Sequence, residues 1–224
     1  MGKERKLTGR LLICYCVMLY LLWGAMELLL LPAMEGTMGV WAEALTESAV
    51  KLLIWTLPAL LLMRRFGEDL WLPLKKMFTA KVNWWPYLAI AAGFLLLRMI
   101  NALSSMGKVG IHPEFEAASL VGAVLFVGVT EEVVFRAWLL GAALRKLGYR
   151  PAILTNAVLF VLIHFPIWIR TGLFEDPLNV LSGCAGIFCV SILLSWAFTK
   201  SRNLFVPIVL HMSWNLGIVV FLGG

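Results

Sequence analysis

Seven apolar runs divide the chain, at residues 11–32, 42–63, 84–104, 117–144, 151–168, 178–198 and 204–222, with short polar or basic stretches between them. A helix that crosses a bilayer needs about 20 mainly apolar residues, so each run predicts a membrane-spanning helix. In hydrocarbon every backbone polar group must be satisfied within the structure, and continuous runs of this length achieve that as helices. The expected fold class is all-α: a polytopic integral membrane helical bundle of about seven transmembrane helices. Between the second and third runs, Phe66 to Pro86 mixes Lys75 and Lys76 with Trp71, Leu72, Leu74, Met77 and Phe78. That pattern fits a segment lying along the membrane surface, or an ordinary loop.

Composition agrees. Hydrophobic residues make up 61% of the 224 residues and charged ones 14%, with a mean hydropathy of +0.89, values of an integral membrane protein rather than a soluble domain. The net charge of +6 does not point to nucleic acid, because the cations collect in the short connections. One set of alternate connections holds Lys3, Arg5, Lys6, Arg10, Arg64, Arg65, Lys75, Lys76, Lys81, Arg145, Lys146, Arg150, Lys200 and Arg202; the other holds only Lys108 and Arg170. By the positive-inside rule the N-terminus is cytoplasmic and the C-terminus outside, in the cell membrane if the source is prokaryotic. Trp41, Trp71, Trp84, Trp85 and Trp168 fall near the expected interfaces. Lys6 stands where a myristoylation signal wants Ser or Thr, and the first apolar run reads as a retained signal anchor. Cys14, Cys16, Cys184 and Cys189 lie inside apolar runs without metal-type spacing and read as reduced packing residues. With no internal repeat or linker, residues 1–224 read as a single domain.

Chemistry enters where charge interrupts the runs. Glu131, Glu132 and Arg136 fall in the middle of the fourth, although a charge at mid-bilayer costs about 2.5–3.5 kcal/mol on insertion scales. At ~100° per residue Glu132 and Arg136 share a helix face while Glu131 points elsewhere. Arg136 is thus expected to pair with Glu132, leaving Glu131 to face a cavity; a purely architectural charge cluster is the competing reading. Glu27, Lys51 and Arg98 interrupt the first three runs and read as structural or anchoring groups, Lys51 neutralised by Glu47 one turn away and Arg98 able to snorkel. Ser182 and Gly186 place small residues one turn apart on the sixth run, suited to close helix packing.

Two further runs carry histidines. Phe160 and His164 precede Pro166, which removes a helical N–H and predicts a kink just beyond His164, at a depth where irregular backbone is tolerated only in protein or beside water. His211 and Asn215 lie a turn apart on the seventh run, where both need partners. Singly, each suits a buried core histidine or a helix-to-helix clamp. Together they supply a carboxylate and an imidazole to deprotonate water, and an imidazole and an amide to stabilise an oxyanion, the equipment of peptide hydrolysis.

The ordered set Glu131-Glu132-xxx-Arg136, Phe160-xxx-His164 and His211-xxx-Asn215 resembles the CPBP family of intramembrane proteases, the CAAX prenyl protease and bacteriocin-processing enzymes also called the ABI family. The resemblance covers about residues 117–220. It implies a helical bundle with a cavity opening toward the cytoplasmic side, Glu131 and His164 as the catalytic pair, His211 and Asn215 as the oxyanion hole, and Glu132, Arg136 and Phe160 in support. The implied activity is a CAAX-type endopeptidase (a peptidase, hence a hydrolase) cutting near the C-terminus of a peptide or a prenylated or otherwise lipidated protein, with membrane lipid as its surroundings and no nucleic acid partner. No cofactor is required on this reading. The family is often described as metalloproteases, and Glu131, His164 and His211 could in principle hold zinc or another divalent metal, but HExxH is absent and Asn215 suits an oxyanion role. The alternatives are a non-proteolytic membrane scaffold or bacteriocin-immunity protein of the same family, and a proton-coupled transporter, disfavoured by the lack of paired inverted halves.

Overall fold

The computed structural model describes residues 7–34 and 36–223; Lys3, Arg5, Lys6 and the myristoylation-like start lie outside the described residues. All seven apolar runs form helices long enough to span a membrane: α1 (Gly9–Met34), α2 (Val40–Arg65), α3 (Trp85–Met106), α4 (Ala117–Leu147), α5 (Tyr149–Arg170), α6 (Pro177–Ser201) and α7 (Phe205–Leu222). Among the described residues there is no strand. The ends follow local chemistry. The Thr8 side chain accepts the Leu11 N–H at 3.2 Å, and Asp176 accepts the Leu178 N–H at 2.8 Å ahead of Pro177. Gly107 ends α3 at φ 70°, a left-handed conformation that glycine adopts without a Cβ penalty.

The centre of the bundle is α4. Every residue from Thr130 to Ala142 is buried, whereas only Val124 and Gly128 are buried between Ser119 and Val129. One half of this helix is therefore enclosed and the other lines open space. The enclosed half packs an aromatic chain: Trp23 on Trp55 at 4.8 Å between ring centres, Trp55 on Phe135 at 6.3 Å and Phe135 on Phe160 at 4.9 Å, all edge-on. Lipid tails are as apolar as leucine, so close packing and hydrogen bonds hold such a bundle. Tyr20 donates to the Leu159 carbonyl at 2.5 Å, Trp23 to that of Ile163 at 3.1 Å and Tyr15 to that of Trp55 at 3.2 Å, tying α1 to α5 and α2. Each such bond contributes about 0.6–2 kcal/mol.

Four expectations change or sharpen. The segment after α2 docks onto the basic end of the bundle: Leu70, Leu72 and Met77 are buried, Trp71 donates its N–H to the Gly141 carbonyl at 2.9 Å, and the Met77 carbonyl accepts from Leu204 at 2.7 Å. Arg98 does not snorkel; its guanidinium sits 3.8 Å from the Trp214 ring centre on α7, an attraction between cation and π face. The close approaches lie elsewhere than Ser182 and Gly186. A Cβ at Gly217 would stand 2.7 Å from Arg98 Cγ, and one at Gly128 2.7 Å from Met212 Cγ, so α7 meets α3 and α4 through glycine. All four cysteines are free, and Cys14 and Cys189 are exposed on the outside of the bundle rather than packed within it.

Candidate active site

The fourth helix presents its three charges as the geometry requires. Arg136 Nε lies 3.2 Å from Glu132 Oε2, both side chains fully buried, and Arg136 also donates to Ser191 Oγ of α6 at 3.3 Å. The guanidinium carbon sits 4.3 Å from the centre of the Phe160 ring. Glu132 does more than pair with arginine: its Oε1 is 2.8 Å from His211 Nδ1, so one carboxylate bridges α4 to α7. A carboxylate accepts, so Nδ1 of His211 carries the proton and Nε2 is the nitrogen left over, 3.8 Å from Glu131 Oε2. Either ion left unpaired at this depth would cost several kcal/mol, which makes the four-group cluster a unit.

On α5 the local sequence builds the second element. The turn at Ile163 and His164 makes the His164 N–H bond to Val161, one residue short of the usual helical partner, at 3.0 Å. Pro166 follows and has no N–H to continue the ladder. The Phe160 carbonyl is thereby freed and accepts from His164 Nδ1 at 2.7 Å. A carbonyl cannot donate, so the neutral ring keeps Nε2 as its lone-pair nitrogen. Phe160 is fully buried and touches each side of the site, 5.1 Å from His164 and 5.8 Å from His211 between ring centres.

Asn215, a turn beyond His211, donates through Nδ2 to the Ala123 carbonyl at 2.8 Å. Residues Leu120–Phe126 of α4 form a widened helical turn, the kind of local irregularity that recurs at functional sites. The amide retains a second N–H.

Glu131, His164 and Asn215 line one cavity of about 270 Å³. Glu131 is 5% exposed, and its Oε2 has no hydrogen-bond partner among the described residues. His211 lies behind this wall, reached through Glu131 and Glu132. Among the lining residues not assigned to a site from sequence are four from the first two helices: Trp23 of α1, and Glu47, Lys51 and Trp55 of α2. Lys51 pairs with Glu47 at 2.7 Å as spacing suggested, and its ammonium lies 4.6 Å from the Trp23 ring centre. The pair was visible in the sequence; that its helix faces α4, α5 and α7 was not. Glu27 and Arg170 are joined at 2.8 Å across α1 and α5.

The cavity is walled by Ala123, Val127 and Glu131 of α4 and by Asn215, Ile218 and Val219 of α7, in the half of the bundle nearer the connections 34–40, 106–117 and 170–177. The basic connections are at the opposite end, closed off by the buried stretch Thr130–Ala142. As for metal, no group of three His, Cys, Asp or Glu among the described residues is arranged to hold an ion. His164 and His211 each commit Nδ1 to a protein oxygen and keep Nε2 free, and His211 Nε2 stands 3.8 Å from Glu131 Oε2.

Residues 113–217 match the protein family described as Type II CAAX prenyl endopeptidase Rce1-like, a stretch that contains all of the motif residues and none of α1 to α3. No curated protein and no solved structure matches the chain.

Proposed function

Residues 113–217 belong to the Rce1-like family of type II CAAX prenyl endopeptidases, and from that premise we propose that the chain is an intramembrane endopeptidase acting near the C-terminus of a lipidated or apolar peptide. The observation that carries the reading is convergence: the nearly buried Glu131 carboxylate lines the same cavity as His164 and Asn215, with His211 Nε2 3.8 Å from its Oε2.

In this reading Glu131 takes a proton from water, whose remaining hydrogen bonds to the lone pair on His164 Nε2. The water oxygen bonds to the scissile carbonyl carbon, and the carbonyl oxygen becomes an oxyanion facing the free N–H of Asn215. Glu132 holds the His211 ring through Nδ1, which leaves Nε2 facing Glu131 at 3.8 Å. When the C–N bond breaks, the proton held by Glu131 passes to the departing amine, so protons balance without a further reactant. Glu132 and Arg136 set the position of His211, and Phe160 fixes both imidazoles. The cycle as written uses no metal.

Purified protein tests this directly. Glu131→Ala and His164→Ala are expected to abolish cleavage of an apolar peptide while the variants still insert and keep their helical content; full activity in both refutes the proposal.

A further inference from the structure

We infer that Arg98 binds the free C-terminal carboxylate of the peptide, in a second cavity beside the catalytic one; that the carboxylate belongs to a substrate rests on the protease reading, the carboxylate site itself does not. Along the spans Lys51, Arg136 and Arg170 each hold a carboxylate. Arg98 differs. At 1.5 Å rise per residue it stands ~12 Å from the Met106 end of α3 and ~20 Å from the Trp85 end. No carboxylate pairs with it among the described residues, and its Nε is buried without a hydrogen-bond partner. The Trp214 ring, 3.8 Å from the guanidinium carbon, steadies the cation but brings neither a countercharge nor an acceptor for its N–H groups. An ionisable group left in this condition inside a span marks a functional site whose partner comes from elsewhere.

The cavity around it defines that partner. Arg98 lines a space of about 510 Å³ together with Asn101 of α3 and Asn179 of α6, and no acidic side chain faces it. A guanidinium fork matches the two oxygens of a carboxylate, and each primary amide adds two N–H donors, so the space is built for a small planar anion. A lipid phosphate is the wrong source. The 22 residues of α3 span ~33 Å, about the thickness of the hydrocarbon core, which puts headgroups beyond its ends and well away from Arg98. The catalytic cavity, by contrast, is next door. Ile218 lines both spaces, and Trp168 of the second has its ring centre 5.9 Å from that of His164. On α7, at ~100° per residue, Ile218 falls between Asn215 on the catalytic side and Trp214 on the Arg98 side. Across a helix ~11 Å wide, that 100° divergence is a separation of ~8 Å. An extended peptide covers ~3.3–3.6 Å per residue, so two or three residues reach from a scissile bond beside Asn215 to a carboxylate at Arg98. Arg98 thus reads the chain end and fixes how far from it the cut falls.

Binding tests the site apart from the chemistry. Two fluorescent apolar peptides, identical except that one ends in a free carboxylate and the other in an amide, are titrated onto Glu131→Gln in phosphatidylcholine nanodiscs. The carboxylate form is expected to bind about tenfold more tightly, and the ratio to fall to about one when Arg98→Gln is added. Arg98→Lys, which keeps the charge and loses the fork, is expected to give a ratio in between. No preference for the carboxylate with Arg98 in place, whether both peptides bind or neither does, overturns the inference, as does a preference that survives Arg98→Gln. Asn101→Leu removes a donor without touching the charge and keeps the comparison decisive if Arg98→Gln fails to fold; its ratio is expected to fall about threefold, and an unchanged ratio counts against the site. The titration is repeated with phosphatidylglycerol in the disc at high salt, where surface repulsion is screened. A preference that persists there is expected, and one that collapses gives the site to lipid and overturns the proposal. Cleavage by the unaltered chain is scored separately: preference without cleavage overturns the assignment to a substrate and leaves the carboxylate site standing, whereas cleavage without preference refutes the site and spares the protease reading.

Discussion

Adjacent carboxylates at positions 131 and 132 have opposite stakes, and that difference is measurable. Glu132 is fully buried between Arg136 and His211. Glu132→Gln strands the Arg136 charge and is expected to cost about 3–5 kcal/mol, a large drop in thermal unfolding temperature in detergent. Glu131→Gln loses only the longer 3.8 Å approach to His211 and keeps the Glu132–Arg136 pair. It is expected to lower the unfolding temperature by less than Glu132→Gln does, while lowering turnover about 10²–10⁴-fold. Equal stability losses in the two variants contradict this division. Much of the split was legible, because helical periodicity alone puts Arg136 on the face of Glu132 and not of Glu131. The bond from Glu132 to His211 was not: periodicity orders residues on one helix and says nothing about which face a helix 79 residues away will offer.

At the scale of elements, the kink in α5 is a device for aiming His164. Pro166→Ala restores an N–H at the kink and favours a regular helix in which the His164 N–H reclaims the Phe160 carbonyl, displacing Nδ1. Turnover is expected to fall about tenfold with stability unchanged or slightly raised, read by paired activity and unfolding measurements; unaltered turnover would detach the kink from catalysis. The contact of α7 with α3 makes a purely structural comparison. In Gly217→Ala the added methyl meets Arg98 Cγ at 2.7 Å and Cβ at 3.0 Å, and overpacking of this kind costs about 1–3 kcal/mol. The kink could be read from the Pro166 ring, whereas the Gly217 approach could not, since nothing in the sequence singles it out from Gly186, which meets nothing within 4 Å.

The whole molecule is more than its family-matched half. The spans were legible because hydrophobic length is a one-dimensional property that the bilayer itself reads, and all seven runs fall within a few residues of their helices. The role of α1 and α2 was hidden, because Trp23, Glu47, Lys51 and Trp55 acquire meaning only once the bundle closes around α4. A chain beginning at Pro113 is therefore expected to lack a cavity wall and to show no cleavage, with loss of cooperative unfolding. Activity in that segment at a level near the full chain would contradict the assembled site.

The central claim is that side chains converging from α4, α5 and α7 hydrolyse a peptide bond by themselves. The most direct measurement follows the full-length protein, purified, stripped with chelator and incubated with an apolar C-terminal peptide, by mass spectrometry beside its Glu131→Gln variant. The prediction is cleavage at one bond by the stripped protein and an intact peptide with Glu131→Gln. Cleavage that persists undiminished in Glu131→Gln, or that vanishes on stripping and returns with zinc, would contradict it.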